Sequence, residues 1–111
     1  MHEIDGSGGW LGVLTAGSPA ANTADVLGSP AVTRILETER AARDIVVVDT
    51  PGVLGNTGTR ALAVTAKARV VLVVAESGRT RTLIRTLRAL DEVAADVAGL
   101  VINDVPAYEL H

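Results

Sequence analysis

Two uninterrupted apolar runs divide the chain, Ile45 to Val48 and Val70 to Ala75, and a third, Val97 to Ile102, lies near its end. All three are rich in β-branched residues and lack alternation, the pattern of strands buried on both faces in a parallel sheet. Between them the spacing is helical. Ser29 followed by Pro30 predicts a capped helix to about Ala42, with Val32, Ile35 and Leu36 on one face and Arg34, Glu37, Glu39 and Arg40 outside. A second helix is predicted from a Thr59 cap to about Ala68, with Ala61, Leu62, Val64 and Thr65 as a small-residue face. A third runs from a Thr80 cap to about Ala95, with Leu83, Ile84, Leu87, Leu90 and Ala94 at helical spacing. Ahead of these, Asn22 or Thr23 caps a short turn over Ala24 to Leu27 that Gly28 stops. Trp10 to Thr15 reads as a short strand ending at Ala16-Gly17-Ser18-Pro19, and residues 1–10 as a flexible lead-in. Strands alternating with helices predict an α/β fold: a Rossmann-like parallel sheet flanked by helices, in one domain over residues 11–106 with a tail over 107–111.

Composition narrows the function. The chain has 111 residues, 48% of them apolar, which suits one small domain with a packed core. Trp10 and Tyr108 are its sole aromatic residues, so no platform for stacking bases is present. Ten basic against 13 acidic residues, with no basic run, argue against nucleic acid as a partner. The absence of cysteine excludes disulfides and thiolate metal sites and fits a cytoplasmic location. No apolar run approaches the length of a membrane span, so contact with a membrane is expected through a partner. His2 and His111, at opposite termini, read as solvated side chains rather than ligands. Arg81, Arg85 and Arg88, with Arg79 before them, read first as a solvated helix face.

The candidate chemistry lies where the first apolar run stops. Asp49 follows Val48 directly, and Pro51-Gly52 then turns the chain out of the sheet. A carboxylate at the carboxyl end of a parallel strand stands where open α/β sheets bind ligands. In P-loop nucleotide hydrolases this is the Walker B position, whose Asp holds the Mg²⁺ of a nucleotide, often through water. The alternative is an Asp that caps a turn. The glycine-rich start, with Gly6, Gly8 and Gly9, is followed by no Lys and is not a phosphate loop.

Three landmarks follow in order: Val46-Val47-Val48-Asp49-Thr50-Pro51, then Val73-Val74-Ala75-Glu76-Ser77-Gly78-Arg79-Thr80, then Gly99-Leu100-Val101-Ile102-Asn103-Asp104. Leu14-Thr15-Ala16-Gly17-Ser18-Pro19, Asn22 and Leu27-Gly28-Ser29 precede them. In this order the chain resembles, over residues 11–106, the carboxyl-terminal half of the bacterial tyrosine-kinase (capsular exopolysaccharide) family, within the MinD/ParA-like P-loop ATPases. The resemblance implies ATP and Mg²⁺ as cofactors, with Asp49 near the metal, Thr50 and Pro51 beside the γ-phosphate, and Asn103 against the adenine edge. It implies that Gly78 and Thr80 belong to a turn that is structural or lies near a subunit contact. It also implies a role in polysaccharide export beside a membrane-embedded chain-length regulator or a related ATPase subunit, and phosphorylation of a tyrosine-rich tail.

The departures from that pattern bear on activity. No Gly-x-x-x-x-Gly-Lys-Ser/Thr occurs in the 111 residues, so the phosphate cradle and its Lys are missing. The upstream acidic strand motif is missing too, Gly58 stands where relatives often carry an acidic residue, and the tail holds Tyr108 alone. The expectation is therefore an incomplete P-loop fold, fragmentary or truncated, carrying the Walker B and base-side elements and inactive alone. A sheet that lacks a strand leaves edges that pair with another chain, so a homo-oligomer is one expectation. The alternatives are a non-catalytic module that binds a polysaccharide-assembly partner, or a GTPase using Asp49-Thr50-Pro51-Gly52 as its switch. The latter lacks an Asn-Lys-x-Asp for guanine.

Overall fold

Pro30 to Ala42 forms the helix that the Ser29-Pro30 pair predicts. The Ser29 side chain accepts the Val32 amide, and Pro30 occupies the first helical turn, where its missing N–H costs nothing. The computed structural model describes residues 2–6, 8–18 and 22–106, with the side chains of 2–6 and 23 left aside. Expectations for Tyr108, the tail and the two histidine side chains lie outside the described residues.

In chain order the elements are β1 (His2–Gly6), β2 (Gly9–Val13), α1 (Thr23–Leu27), α2 (Pro30–Ala42), α3 (Thr57–Thr65), β3 (Arg69–Ala75), α4 (Thr80–Glu92) and β4 (Asp96–Asn103). Mixed helix and strand with a small parallel sheet agree with the α/β expectation. β3, α4 and β4 form a strand–helix–strand unit in which the two strands pair in parallel, from Arg69 against Asp96 to Ala75 against Asn103. The register shifts once: Val70 faces Val97 and Val71 faces Gly99, leaving Ala98 as the extra residue of a bulge. Below the bulge an exposed Arg69–Asp96 ion pair at 3.6 Å closes the start of the ladder and adds little stability.

The core is small. Val53, Leu72, Ala89 and Leu90 are buried together, with Val70, Val74, Leu83, Leu87, Ala95 and Val97 packed around them. α4 thus covers one face of β3, and Val71, Val73 and Val101 on the opposite face stay open. A separate contact joins α1 to α3, where Gly58, Thr59 and Leu62 are buried. The whole chain has a radius of gyration of 15.8 Å, against about 13 Å for a compact domain of this length. Its accessible surface is 8580 Å², against about 5,800 Å² for a compact protein of this mass. Much apolar surface therefore has no cover within the chain.

Several expectations are corrected. Part of the flexible lead-in expected over residues 1–10 is strand: β1 pairs antiparallel with β2, with Gly6 opposite Gly9 and Gly8 at a φ of +101°, the positive value that tight hairpin turns demand. The short strand there begins at Gly9, one residue before Trp10, and stops at Val13. Ile45 to Val48 joins no ladder, and Ile45 and Val47 are 80% and 87% exposed, so this run is not a strand buried on both faces. Its composition suits a strand, but a strand exists only where a neighbour supplies hydrogen bonds.

The helix ends also move. α3 is capped by Asn56, whose Oδ1 accepts the Thr59 amide at 3.2 Å, so Thr59 lies inside the helix. α4 starts at Thr80 with Arg79 at the cap and no side-chain hydrogen bond there. Both helices end earlier than periodicity suggests. Lys67 and Ala94 take positive φ, and amides reach back from Lys67 to Val64, Ala68 to Ala63, Ala94 to Asp91 and Ala95 to Leu90. That is the paired 5→2 and 6→1 closure of a helix terminus, made here without glycine. Arg40 of α2 donates from Nη1 to the Ala66 carbonyl at 2.8 Å and places its charge at the carboxyl end of α3. Asn56→Ala should cost about 1 kcal/mol through the lost cap. Urea denaturation followed by circular dichroism checks this, and an unchanged midpoint would refute the cap's contribution.

Candidate functional site

The corner after Asp49 is built from both sides. Val53 enters the core against Leu72, Ala89 and Leu90 and so ties the corner to β3 and α4. Thr59, buried in the first turn of α3, donates its hydroxyl to the Pro51 carbonyl at 3.1 Å. Its own amide is held by Asn56, so the hydroxyl is presented from a fixed helical turn. Gly58 makes this placement feasible. A Cβ there would meet the Ala24 carbonyl oxygen at 2.6 Å and the Ala24 Cα at 2.8 Å, so only glycine lets α3 approach α1 this closely.

On this support Asp49, Thr50 and Pro51 are exposed, and no hydrogen bond or ion pair engages the Asp49 carboxylate or the Thr50 hydroxyl among the described residues. The carboxylate is thus free for a ligand, and its backbone is anchored two and four residues further on. A turn-capping Asp would accept a nearby backbone N–H, and among the described residues Asp49 accepts none.

Asn103 stands elsewhere. It is the last residue of β4, exposed, and its carbonyl accepts the Glu76 amide at 2.9 Å. This bond joins the end of β4 to the turn after β3, where the Gly78 amide reaches the Ala75 carbonyl at 2.8 Å. Both the Asn103 side chain and the turn therefore sit at the carboxyl end of the parallel pair. No hydrogen bond links Asn103 to the Asp49–Pro51 corner; what connects them is β3, which carries Leu72 against Val53 and Ala75 against Asn103. Thr59 was missed as a supporting residue in the sequence, where it read as a helix cap. Its partner lies eight residues away, across a turn that no periodicity describes.

An open groove of about 550 Å³ runs beside α4 and the start of β4, lined by Ile84, Leu87, Arg88, Asp91, Ala95 and Val97, and includes none of these candidate residues. No cluster of three or more His, Asp or Glu that could hold a metal exists among the described residues. No helix among them is long and apolar enough to cross a membrane.

No family model matches the chain, and no solved structure does. Among curated proteins it is similar to "Putative tyrosine-protein kinase EpsB" of Ralstonia nicotianae, 33% identical over 95 residues that take in 84% of this chain. The protein of the same description from Ralstonia solanacearum matches to the same extent. The chain spans only 12% of the length of these relatives. The similarity thus supports, at low identity, kinship with the bacterial tyrosine-protein kinases.

Proposed function

We propose that this chain carries the Mg²⁺-side and base-side elements of a tyrosine-kinase-like P-loop ATPase serving exopolysaccharide synthesis, and is inactive by itself. The observation that carries this reading is the free Asp49 carboxylate on a corner pinned by Thr59 and Val53. The similarity to the two kinases supplies the reaction class.

The donor set limits what this chain does alone. Mg²⁺ is held by one or two carboxylates together with substrate phosphates. Asp49 and the Thr50 hydroxyl fit the protein's share of such a shell, and an exposed carboxylate suits contact through water. The phosphates need a backbone cradle and a Lys that these 111 residues lack. In a completed site the ion would neutralise charge on the transferring phosphoryl group. In such a site Asp49 would hold the ion, through water, Thr50 and Pro51 would shape the turn on the γ-phosphate side, and the Asn103 amide would offer a donor and an acceptor to a base edge. The proposed setting is the cytoplasm, with a membrane-embedded chain-length regulator or a related ATPase subunit as partner.

A second reading, a non-catalytic interaction module, is favoured by the uncovered apolar face of β3 and β4. Calorimetry of ATP binding with and without Mg²⁺ separates the two. The chain should hydrolyse no ATP above background, and any Mg²⁺-dependent binding should weaken at least about tenfold in Asp49→Ala, as loss of a metal contact does. Hydrolysis that vanishes in Asp49→Ala would contradict inactivity. Binding indifferent to Asp49 would remove the carboxylate from the site. No binding by either protein would leave the interaction reading.

A further inference from the structure

We propose that the arginine row of α4 and the apolar groove beside it dock an acidic amphipathic helix of a partner protein, whose carboxylates meet the arginines while its apolar side chains enter the groove. Four of the chain's ten cations, Arg79, Arg81, Arg85 and Arg88, stand within residues 77–90, a stretch that holds no carboxylate, although the whole chain has a net charge of −3. Arg81, Arg85 and Arg88 follow one another at four and three residues, so they share one face of α4 and form a row about 10 Å long. All four arginines are exposed. Other cations of the chain are engaged: Arg40 by the Ala66 carbonyl, Arg43 by Glu39 and Arg69 by Asp96. No hydrogen bond or ion pair engages the four arginines among the described residues. Like charges at four-residue spacing weaken a helix, so the row does not serve the stability of α4 itself.

Charge pattern and shape together choose the occupant. Ile84, Leu87, Ala95 and Val97 make the groove apolar, and Ile84 is 43% exposed in the lone chain. Arg88 lines the groove as well as closing the row, so a cationic surface and an apolar one adjoin. An amphipathic helix bears the complement of both. Helices that lie in grooves use anchors at three- and four-residue spacing, which is the spacing of the arginines. Glu or Asp at that spacing offers a carboxylate to each guanidinium, whose planar fork takes one through two hydrogen bonds. Beyond Arg88 the sign changes, since Asp91 lines the groove and Glu92 follows it, both exposed. A protein segment answers both signs by carrying Lys or Arg at that end. Nucleic acid and an anionic bilayer carry one sign, and the two carboxylates repel them. This surface uses none of Asp49, Thr50, Pro51 and Asn103, so it docks its partner whether or not a nucleotide site is completed.

Fluorescence anisotropy with the full chain tests the proposal. The probe is a labelled, alanine-based synthetic helix with three Glu at four- and three-residue spacing, a row of Leu beside them and Lys at one end. A second peptide has Gln for each Glu, and a third has Lys. The Glu peptide should bind at least about tenfold more tightly than the Gln peptide at low salt, and the difference should shrink at high salt. Arg81→Glu/Arg85→Glu should lose that preference and bind the Lys peptide instead. Ile84→Ala should weaken the Glu peptide severalfold, because the groove loses an apolar wall. Asp49→Ala should bind it as the wild type does. Circular dichroism checks that each variant keeps its helices. Equal binding of the Glu and Gln peptides, or binding of neither, would overturn the proposal. So would Glu-peptide binding that persists in Arg81→Glu/Arg85→Glu or is indifferent to Ile84→Ala. Tighter binding of duplex DNA or of phosphatidylserine vesicles would overturn it too and assign the arginines to a polyanion.

Discussion

Leu90→Ala should abolish the cooperative unfolding transition or shift it sharply to lower denaturant. Leu90 is 1% exposed and is the largest fully buried side chain among the described residues. It lies on the covered face of α4 and meets Val53, Leu72 and Ala89. Truncating such a residue costs about 2–5 kcal/mol, the transfer of the lost carbons plus the cavity they leave. A domain of this size has about 5–15 kcal/mol to lose, and this one draws on few buried residues, so the low end of that range applies. The loss reaches the candidate site as well, because Val53 holds the corner after Asp49 through the same cluster. Ile84→Ala, on the same helix but 43% exposed, is the control and should cost well under half as much. Equal urea midpoints for Leu90→Ala and the wild type would show that the cluster is not what holds the fold.

How far the sequence discloses this fold depends on where each signal resides. α2 is legible because a Ser-Pro start and helical spacing are local, and β3 and β4 because their apolar runs find each other across one helix. The carboxyl ends of α3 and α4 are not legible: Lys67 and Ala94 make their left-handed closures without the glycine that usually announces one. Asn56 caps α3 where the sequence points to Thr59, since both residue types cap well and the hydrogen bond alone distinguishes them. Ile45 to Val48 shows the opposite failure, a strand composition with no neighbour to complete it. The same holds for the site. Asp49 could be singled out from its place at the end of that run. Its support by Thr59 and Gly58 is tertiary, and Asn103 proves to be tied to the turn after β3 and not to the Asp49 corner.

Gly58→Ala should detach α1 from α3 and loosen the corner that presents Asp49. The added Cβ would lie 2.6 Å from the Ala24 carbonyl oxygen and 2.8 Å from its Cα, both backbone atoms that cannot rotate away. Overpacking of this kind costs about 1–3 kcal/mol, which outweighs the gain of up to about 1 kcal/mol from alanine's better helix propensity at an unstrained position. Relief requires one helix to move. α1 is only five residues long and makes its main contact with α3, so α1 is the element expected to leave. Gly58 adjoins Thr59, whose hydroxyl holds the Pro51 carbonyl, and a shift of the first turn of α3 in the other direction would break that bond instead. Amide hydrogen exchange distinguishes the two. Faster exchange over residues 24–28 alone would place the strain in α1. Faster exchange over the first turn of α3 as well would show that the corner is loosened, and the Mg²⁺-dependent binding proposed for Asp49 should then weaken with it. Unaltered exchange in both segments would mean that the close approach of α1 and α3 does not occur in solution, and with it would go the argument that Gly58 positions the site.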